Sequence, residues 1–247
     1  MKNIILTICL FAFIVCGCKK EDTDTPTNEE NTETAVKLLS KITSTGKNNS
    51  IRVFDYDKSN NLISIDYLDN KTGLSIVKSN LTYKDNKLST MDYCYNIFYY
   101  ELTHSVDSIC LIRKSRNDSK VSLDYIFYPN ANGVIDSVNM KYQNLQYRLL
   151  LDSNNNFMGY SPHPPVLEYE ANIKYDNMKN PYATFPDEYC IVNSLNNGKN
   201  NVKYYETSSD DVFLYYKYDI ESYPIECVIQ YISWGSLETD TLRYEYK

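Results

Sequence analysis

The sequence predicts an all-β fold, a long antiparallel meander of repeated hairpins that forms a curved open sheet or a partly closed, barrel-like structure. Three observations predict this class. Tyrosine is unusually abundant, with 25 in 247 residues against one tryptophan, and tyrosine favours pleated, half-buried strands. Short segments that alternate apolar and polar residues are separated by clusters of Asp, Asn, Lys and Gly, the pattern of strands joined by turns. Helical periodicity is nearly absent.

One hairpin unit recurs through the chain. It consists of an aromatic strand, a polar turn and an alternating apolar strand, as in residues 53–65. The copies open their turns at positions 57, 84, 129, 152, 176 and 219, so their spacing is near 24 or near 44 residues. Residues 104–105 and 196–201 are candidates for degenerate turns in the two longer gaps. The copy at 176 predicts a strand over 182–185, and residues 36–42 are predicted to form the first strand.

Neighbouring hairpins must pair, because one hairpin cannot bury its own apolar face. The expected result is roughly 12 to 16 strands of five or six residues, and a twisted sheet of that size curls, splits or closes. A membrane barrel is the second geometry. Its strands need about 10 residues and an apolar lipid-facing band. The predicted strands are shorter and carry charges, as in residues 173–176 and 242–247.

Two turns carry a resemblance to known proteins. Residues 56–62 (YDKSNNL) and 175–182 (YDNMKNPY) resemble the tyrosine-aspartate (YD) repeats of large secreted shell proteins. They are more similar to a family of anaerobe lipoproteins of unknown function with a porin-like domain, a many-stranded curved antiparallel sheet. The resemblance covers residues 36–247, which we take as one repetitive β-hairpin domain. It implies a fold, and it brings no activity, ligand or catalytic residue.

The N-terminal segment predicts export. Lys2 precedes an apolar run over residues 4–15, which is shorter than the roughly 20 residues of a membrane-spanning helix. Residues 1–17 are therefore predicted to be a signal peptide. The run ends in Val-Cys-Gly-Cys at Cys18, which resembles a bacterial lipoprotein signal. That resemblance implies cleavage before Cys18 and a lipid on its thiol, so that acyl chains hold the protein on a membrane. A simple cleaved secretory peptide is the alternative.

Residues 18–35 are predicted to be the lipidated cysteine followed by a disordered acidic tether. Residues 19–35 contain six carboxylates and too little apolar surface to offset the entropy of ordering. The acidic cluster directly after Cys18 resembles the export tag with which some Gram-negative anaerobes send lipoproteins to the outer face of the outer membrane. The resemblance implies an outer membrane lipoprotein exposed on the cell surface, and retention in the periplasm is the alternative.

The net charge and the cysteine content limit the partners, metals and cofactors that the sequence predicts. The net charge is −7 and no basic patch stands out, which argues against a nucleic-acid partner. Outside the signal and the lipid site, four cysteines remain, in apolar or aromatic contexts that predict strands, and they are either buried free thiols or two disulfides. These are Cys94, Cys110, Cys190 and Cys227. None has the spacing of a metal site, so neither a metal nor a cofactor is predicted.

Enzyme motifs are missing from the sequence. Histidine occurs only at His104 and His163, and there is neither a glycine-rich phosphate loop nor a nucleophile elbow. We therefore predict a protein that is not an enzyme. Paired carboxylates leave no sequence signature, so a carboxylate-based hydrolase stays as an alternative.

Three aromatic residues are candidates for ligand stacking. Trp234 is predicted to lie in the turn of the last hairpin, and Tyr160 and Tyr169 flank a proline-rich segment at 161–165. Exposed aromatic rings with one polar atom suit contact with sugar rings, although Trp234 packed over the end of the sheet is the alternative. The predicted function is a lipid-anchored, non-catalytic envelope protein that binds a glycan or a protein. A structural envelope component that pairs through its sheet edges is a further alternative.

Overall fold

Alternation of apolar and polar residues produces strands throughout the part of the chain that the structure describes. The computed structural model describes residues 36–46, 49–93, 97–118, 120–141, 144–162, 169–170, 172–193, 195, 198–206, 210–233 and 235–247. Residues 37–247 constitute one unit. The predicted signal peptide and tether lie outside the described residues. Within those residues, no helix has both the length and the apolar character needed to cross a membrane.

The described residues contain 17 strands of one antiparallel sheet and one helix. The first strand begins three residues later than predicted, and several strands exceed the expected five or six residues. The elements are β1 Leu39–Gly46, β2 Ser50–Tyr56, β3 Leu62–Leu68, β4 Ser75–Lys84, β5 Lys87–Tyr93, β6 Phe98–His104, β7 Ile109–Ser115, β8 Val121–Pro129, β9 Ile135–Met140, β10 Leu145–Leu151, β11 Phe157–Pro162, β12 Tyr169–Glu170, β13 Ile173–Lys179, α1 Asp187–Val192, β14 Asn200–Glu206, β15 Asp210–Tyr218, β16 Pro224–Ser233 and β17 Ser236–Tyr246.

The sheet curves into a nearly closed barrel, which confirms the predicted fold class. β1 pairs with both β2 and β17, so the first and last strands close the ring. Sixteen antiparallel ladders connect β12 to β13 around the ring, through β11 to β1 and then through β17 to β14. Because that number is even, β12 and β13 run in the same direction. They lie two residues apart in sequence and together take the place of one strand.

One seam interrupts the ring between β11 and β13. β11 pairs with β12 over two residues, and no ladder among the described residues joins β11 to β13. Side chains bridge the gap instead. The Tyr175 hydroxyl donates to the Phe157 carbonyl at 2.6 Å, and the Asn156 amide nitrogen donates to the Asn200 side-chain oxygen at 3.0 Å. The first bond satisfies a backbone carbonyl that a ladder would otherwise pair.

Four of the predicted turns share one geometry, which confirms the hairpins at 57, 129, 152 and 219. The first turn residue accepts hydrogen bonds on its side-chain oxygen from the backbone N–H groups two and four positions later, at 2.8–3.2 Å. The fourth turn residue has a φ between 59° and 79°, the left-handed region. The first residues are Asp57, Asn130, Asp152 and Asp219, and the fourth are Asn60, Gly133, Asn155 and Ser222.

These turns all lie at one end of the barrel, because every second connection of an antiparallel ring lies on the same side. We name this side the turn end. It comprises the connections 57–61, 85–86, 105–108, 130–134, 152–156, 180–199 and 219–223. The opposite side, which includes the β3–β4 connection at 69–74 and the β16–β17 connection, is the loop end. The polar turn that repeats in the sequence therefore marks the hairpin connections on one side of the ring.

The predicted strand over 182–185 is wrong. Residues 181–184 form a turn that leads into α1. Pro181 and Pro186 bracket this segment, and proline cannot donate to a ladder, which disfavours a central strand. The β13–β14 connection instead fills the barrel, with Phe185 4% exposed and its ring 5.5 Å from that of Phe54. This insertion explains the long spacing between turns 176 and 219, whereas the other long gap contains the β6–β7 turn at 105–108.

The inward faces of the strands and the β13–β14 connection share one apolar core. A buried polar cluster lies beside it. The Asp124 carboxylate, 2% exposed, accepts from the Arg113 guanidinium at 3.0 Å, the Ser122 hydroxyl at 2.6 Å and the Tyr100 hydroxyl at 3.3 Å. A buried carboxylate needs partners of this kind, and here all three face it.

Cys110, Cys190 and Cys227 are free thiols. Cys94 lies outside the described residues. Cys190 is in α1 rather than in a strand as predicted, and Cys110 and Cys227 are in β7 and β16. Burial raises the pKa of Cys227 to about 12 and also raises that of Cys190, so both thiols stay protonated at neutral pH. They behave as small core side chains.

Candidate functional site

A cleft opens at the turn end of the barrel. Its volume is about 450 Å³, which falls in the range of about 300–1,000 Å³ that is typical of small-molecule sites. Four hairpin turns and the segment that leads into α1 build its walls. Three of these turns, at 57–61, 105–108 and 130–134, hold their shape through their own side-chain hydrogen bonds, so most of the wall is preformed.

Glu188 is the carboxylate of this cleft. It lies in the first turn of α1 and is 9% exposed. Burial raises the pKa of its carboxyl, while the nearby His104 and the backbone N–H of Glu188 itself partly lower it. Within the described chain, no cation pairs with this carboxylate and no other group donates a hydrogen bond to it. A buried carboxylate whose only hydrogen-bond donor in the described chain is its own backbone N–H is costly, so its position favours a ligand that supplies a further donor.

His104 ends β6 and lines the same cleft. Its Nε2 lies 2.7 Å from the Leu88 carbonyl oxygen. Because a carbonyl oxygen can only accept, Nε2 carries the proton, and in the neutral ring Nδ1 is the acceptor. The cleft therefore combines a carboxyl group and an imidazole whose orientation is fixed by the backbone.

The remaining walls mix apolar and polar groups. Tyr83 places its ring against the cleft and donates its hydroxyl to the Leu62 carbonyl at 2.9 Å. Burial raises the pKa of Tyr83, so its hydroxyl stays neutral. Asn61 and Asn86 contribute amides, and Phe185 contributes an apolar surface. Such walls suit a ligand with several hydroxyl or amine groups and one apolar face.

The raised pKa of Glu188 makes stability depend on pH. The folded protein holds the Glu188 proton more strongly than the unfolded chain, whose carboxyl titrates near about 4.3. The free energy of unfolding is therefore expected to fall as the pH rises from about 4.3 through the raised pKa. Glu188→Gln should remove this fall, whereas the control Glu245→Gln, on the exposed face of β17, should retain it. Urea midpoints measured across this range check the prediction, and identical pH profiles for all three proteins would contradict it.

The residues predicted from sequence lie elsewhere or outside the described chain. Cys18 and Trp234 lie outside it. Tyr160 is in β11, 40% exposed, with its ring 5.7 Å from that of Tyr147, and Tyr169 lies opposite it in the β11–β12 ladder. The pair belongs to the loop end. The structure thus places Tyr160 and Tyr169 together and away from the cleft.

A second cavity of about 290 Å³ lies at the loop end. Asp210, Tyr231 and Glu238 line it together with Ser233 and Ser236, the pair that closes the β16–β17 ladder. Among the residues that the structure describes, no cluster of three or more His, Cys, Asp or Glu side chains has the arrangement of a metal site.

Sequence reasoning missed Glu188 and gave His104 no role. The two residues are 84 positions apart, and no spacing rule joins residues that the topology alone brings together. One signal was available. Glu188 interrupts an apolar stretch that includes Phe185 and Tyr189, and an acid within such a stretch is a candidate for a buried, perturbed carboxyl.

The fold and the cleft define a nearly closed β-barrel that is filled by its own side chains and carries a cleft at one end. The solved structures that are similar to the chain include two that are described as porin-like. One, from Bacteroides uniformis, is 12% identical with a TM-score of 0.44 and covers 85% of this chain and 96% of its own. The other, from Bacteroides vulgatus, is 12% identical with a TM-score of 0.29 and covers 85% and 99%. No family model and no curated protein matches the sequence.

Proposed function

We propose that this protein is a lipid-anchored, non-catalytic binding protein of the bacterial cell envelope, and that the cleft at the turn end holds its ligand. The observation that carries the proposal is the Glu188 carboxyl, which is buried in the cleft and has only its own backbone N–H as a hydrogen-bond donor in the described chain. A ligand hydroxyl or amine supplies the missing donor. The sugar residue at the end of a glycan has this chemistry, with hydroxyl groups for Glu188 and the amides and a C–H face for Tyr83.

Attachment through lipid has two supports. The sequence ending at Cys18 resembles a bacterial lipoprotein signal. The outward faces of β1, β15, β16 and β17 carry ion pairs, namely Lys41–Glu245 at 2.8 Å and Glu226 with both Lys217 at 2.6 Å and Arg243 at 3.5 Å. A barrel that spans a bilayer presents an apolar band to lipid, so these charges favour a tethered barrel.

Fewer observations support the two alternative functions that the sequence allows. A carboxylate-based hydrolase needs two facing carboxyl groups, and the described lining of the cleft has one, that of Glu188. A component that pairs through sheet edges needs a free edge. The β1–β17 ladder closes the ring, and in the described chain the seam beside β11 is the remaining gap.

A glycan array probed with the full mature chain in detergent tests the binding site. Glu188→Ala is expected to weaken saturable binding about 10- to 100-fold, because a hydrogen bond to a charged group contributes about 1.5–3 kcal/mol. The control Glu245→Gln should bind like the wild type. Loss of binding in Trp234→Ala with full binding in Glu188→Ala would move the site to the loop end. Silence of the wild type across the array, or cleavage of a bound glycan, would overturn the proposal.

A further inference from the structure

Two aliphatic side chains project from the turn end into solvent. Val106, between β6 and β7, is 97% exposed, and Ile220, between β15 and β16, is 102% exposed. They are the two most exposed large hydrophobic side chains in the described chain. A single exposed aliphatic residue is ordinary. Here, two fully exposed aliphatic residues lie on tight turns at the same end of the barrel.

The two tips lie on opposite sides of the barrel. Counting β12 and β13 as one strand, six strands separate the β6–β7 hairpin from the β15–β16 hairpin in each direction around the ring. A flat surface brought against the turn end therefore meets Val106 and Ile220 on either side of the mouth. Insertion of one tip alone would tilt the barrel toward that tip, whereas two opposed tips resist tilting along the line that joins them.

The chain also reaches the barrel at this end. Lys37 is fixed there by ion pairs with Asp219 at 2.8 Å and Glu221 at 2.9 Å, the two residues that flank Ile220. Residues 19–36 separate Lys37 from Cys18, and an extended segment of that length spans at most about 60 Å. A lipid on Cys18 thus tethers the turn end, and Ile220 stands beside the point where the tether is fixed.

We propose that the turn end rests on the bilayer surface, with Val106 and Ile220 inserted at the boundary between headgroups and acyl chains. The proposal rests on the lipid anchor of the proposed function. Exposed aliphatic side chains gain from burial in this boundary, and the anchor keeps them within reach of it. The loop end, with Tyr160 and Tyr169, then points away from the membrane. The Glu188 cleft, whose lining includes Val106, opens toward the headgroups, so a sugar held there would be one that a membrane lipid carries.

Single-tryptophan proteins test this orientation in the full lipidated chain, bound to vesicles of phosphatidylethanolamine and phosphatidylglycerol. Each carries Trp234→Phe together with Val106→Trp, Ile220→Trp or the control Leu74→Trp. Leu74 lies at the loop end and is 70% exposed. We expect a blue shift of emission on binding, and quenching by brominated acyl chains, at positions 106 and 220 but not at 74.

Flotation of the same vesicles separates the two proposals. The wild-type chain is expected to float with the lipid, and Cys18→Ala is expected to stay behind. Failure of the wild type to float would overturn the lipid anchor and the proposed function with it. Flotation with the indoles at 106 and 220 still in water, or with position 74 quenched equally, would overturn the docking orientation alone.

Discussion

Phe185→Ala is expected to lower the free energy of unfolding by about 3–5 kcal/mol, the usual effect of deleting a buried aromatic ring. Phe185 is 4% exposed and lies at the centre of an aromatic cluster, with ring centroids 5.5 Å from Phe54, 5.4 Å from Tyr182 and 6.2 Å from Tyr189. The cluster joins the β13–β14 connection to the barrel wall. Its loss leaves a cavity that the paired strands around it cannot collapse to fill.

Urea unfolding followed by circular dichroism measures this effect. Leu74→Ala is the control, because its side chain is 70% exposed, and it should change stability by less than about 0.5 kcal/mol. Phe185→Leu retains apolar volume and should recover part of the loss. Equal stability of Phe185→Ala and the wild type would show that the β13–β14 connection contributes little to the barrel.

Asp124→Ala is expected to destabilise the protein by about 2–4 kcal/mol, because it removes a buried carboxylate that three donors share. The Tyr100 hydroxyl, on a side chain that is 2% exposed, then loses its acceptor. The Arg113 side chain is 36% exposed, so water compensates part of its lost ion pair, and we place the effect below that of a fully buried pair.

Asp124→Asn provides the second measurement, since it removes the charge but keeps an oxygen acceptor, and its loss should be smaller than that of Asp124→Ala. Asp118→Ala is the control, because its pair with Lys120 is exposed on both sides. It should have an effect below about 1 kcal/mol. An equal loss of unfolding free energy for Asp118→Ala and Asp124→Ala would contradict the conclusion that burial makes the Asp124 contacts more stabilising than an exposed pair.

The hairpins were predictable because their signal is local. Asp57 and Asp152 each bond to backbone groups within the next four residues, so the geometry is encoded in five consecutive residues. The β13–β14 connection was not predictable by this reasoning. Its Tyr182–Phe185 segment alternates like a strand. The flanking Pro181 and Pro186 disfavour a strand, but the buried course of the segment depends on contact with Phe54 across the barrel. A six-residue helix is also too short to show a helical period.

Closure and the candidate site depend on contacts that are distant in sequence. The β1–β17 ladder joins the two ends of the domain, and periodicity alone does not distinguish a closed ring from a curved open sheet. The cleft likewise joins Glu188 to His104. Residue types at Trp234, Tyr160 and Tyr169 indicated surface aromatics. The apolar stretch around Glu188 marks it as a candidate buried acid, but its position beside His104 is apparent only in three dimensions.

Antiparallel closure of the ring has a consequence for how such a chain grows or shrinks. β1 and β17 can pair antiparallel only if the number of strands between them around the ring is even, with β12 and β13 counted as one strand. A duplication or deletion must therefore comprise two strands and a turn. Gain of a single strand would make β1 and β17 run parallel, so their antiparallel ladder could not form. Each whole added unit would widen the ring and add another Asp- or Asn-led turn to the side where Lys37 arrives, which leaves the polarity of the molecule unchanged.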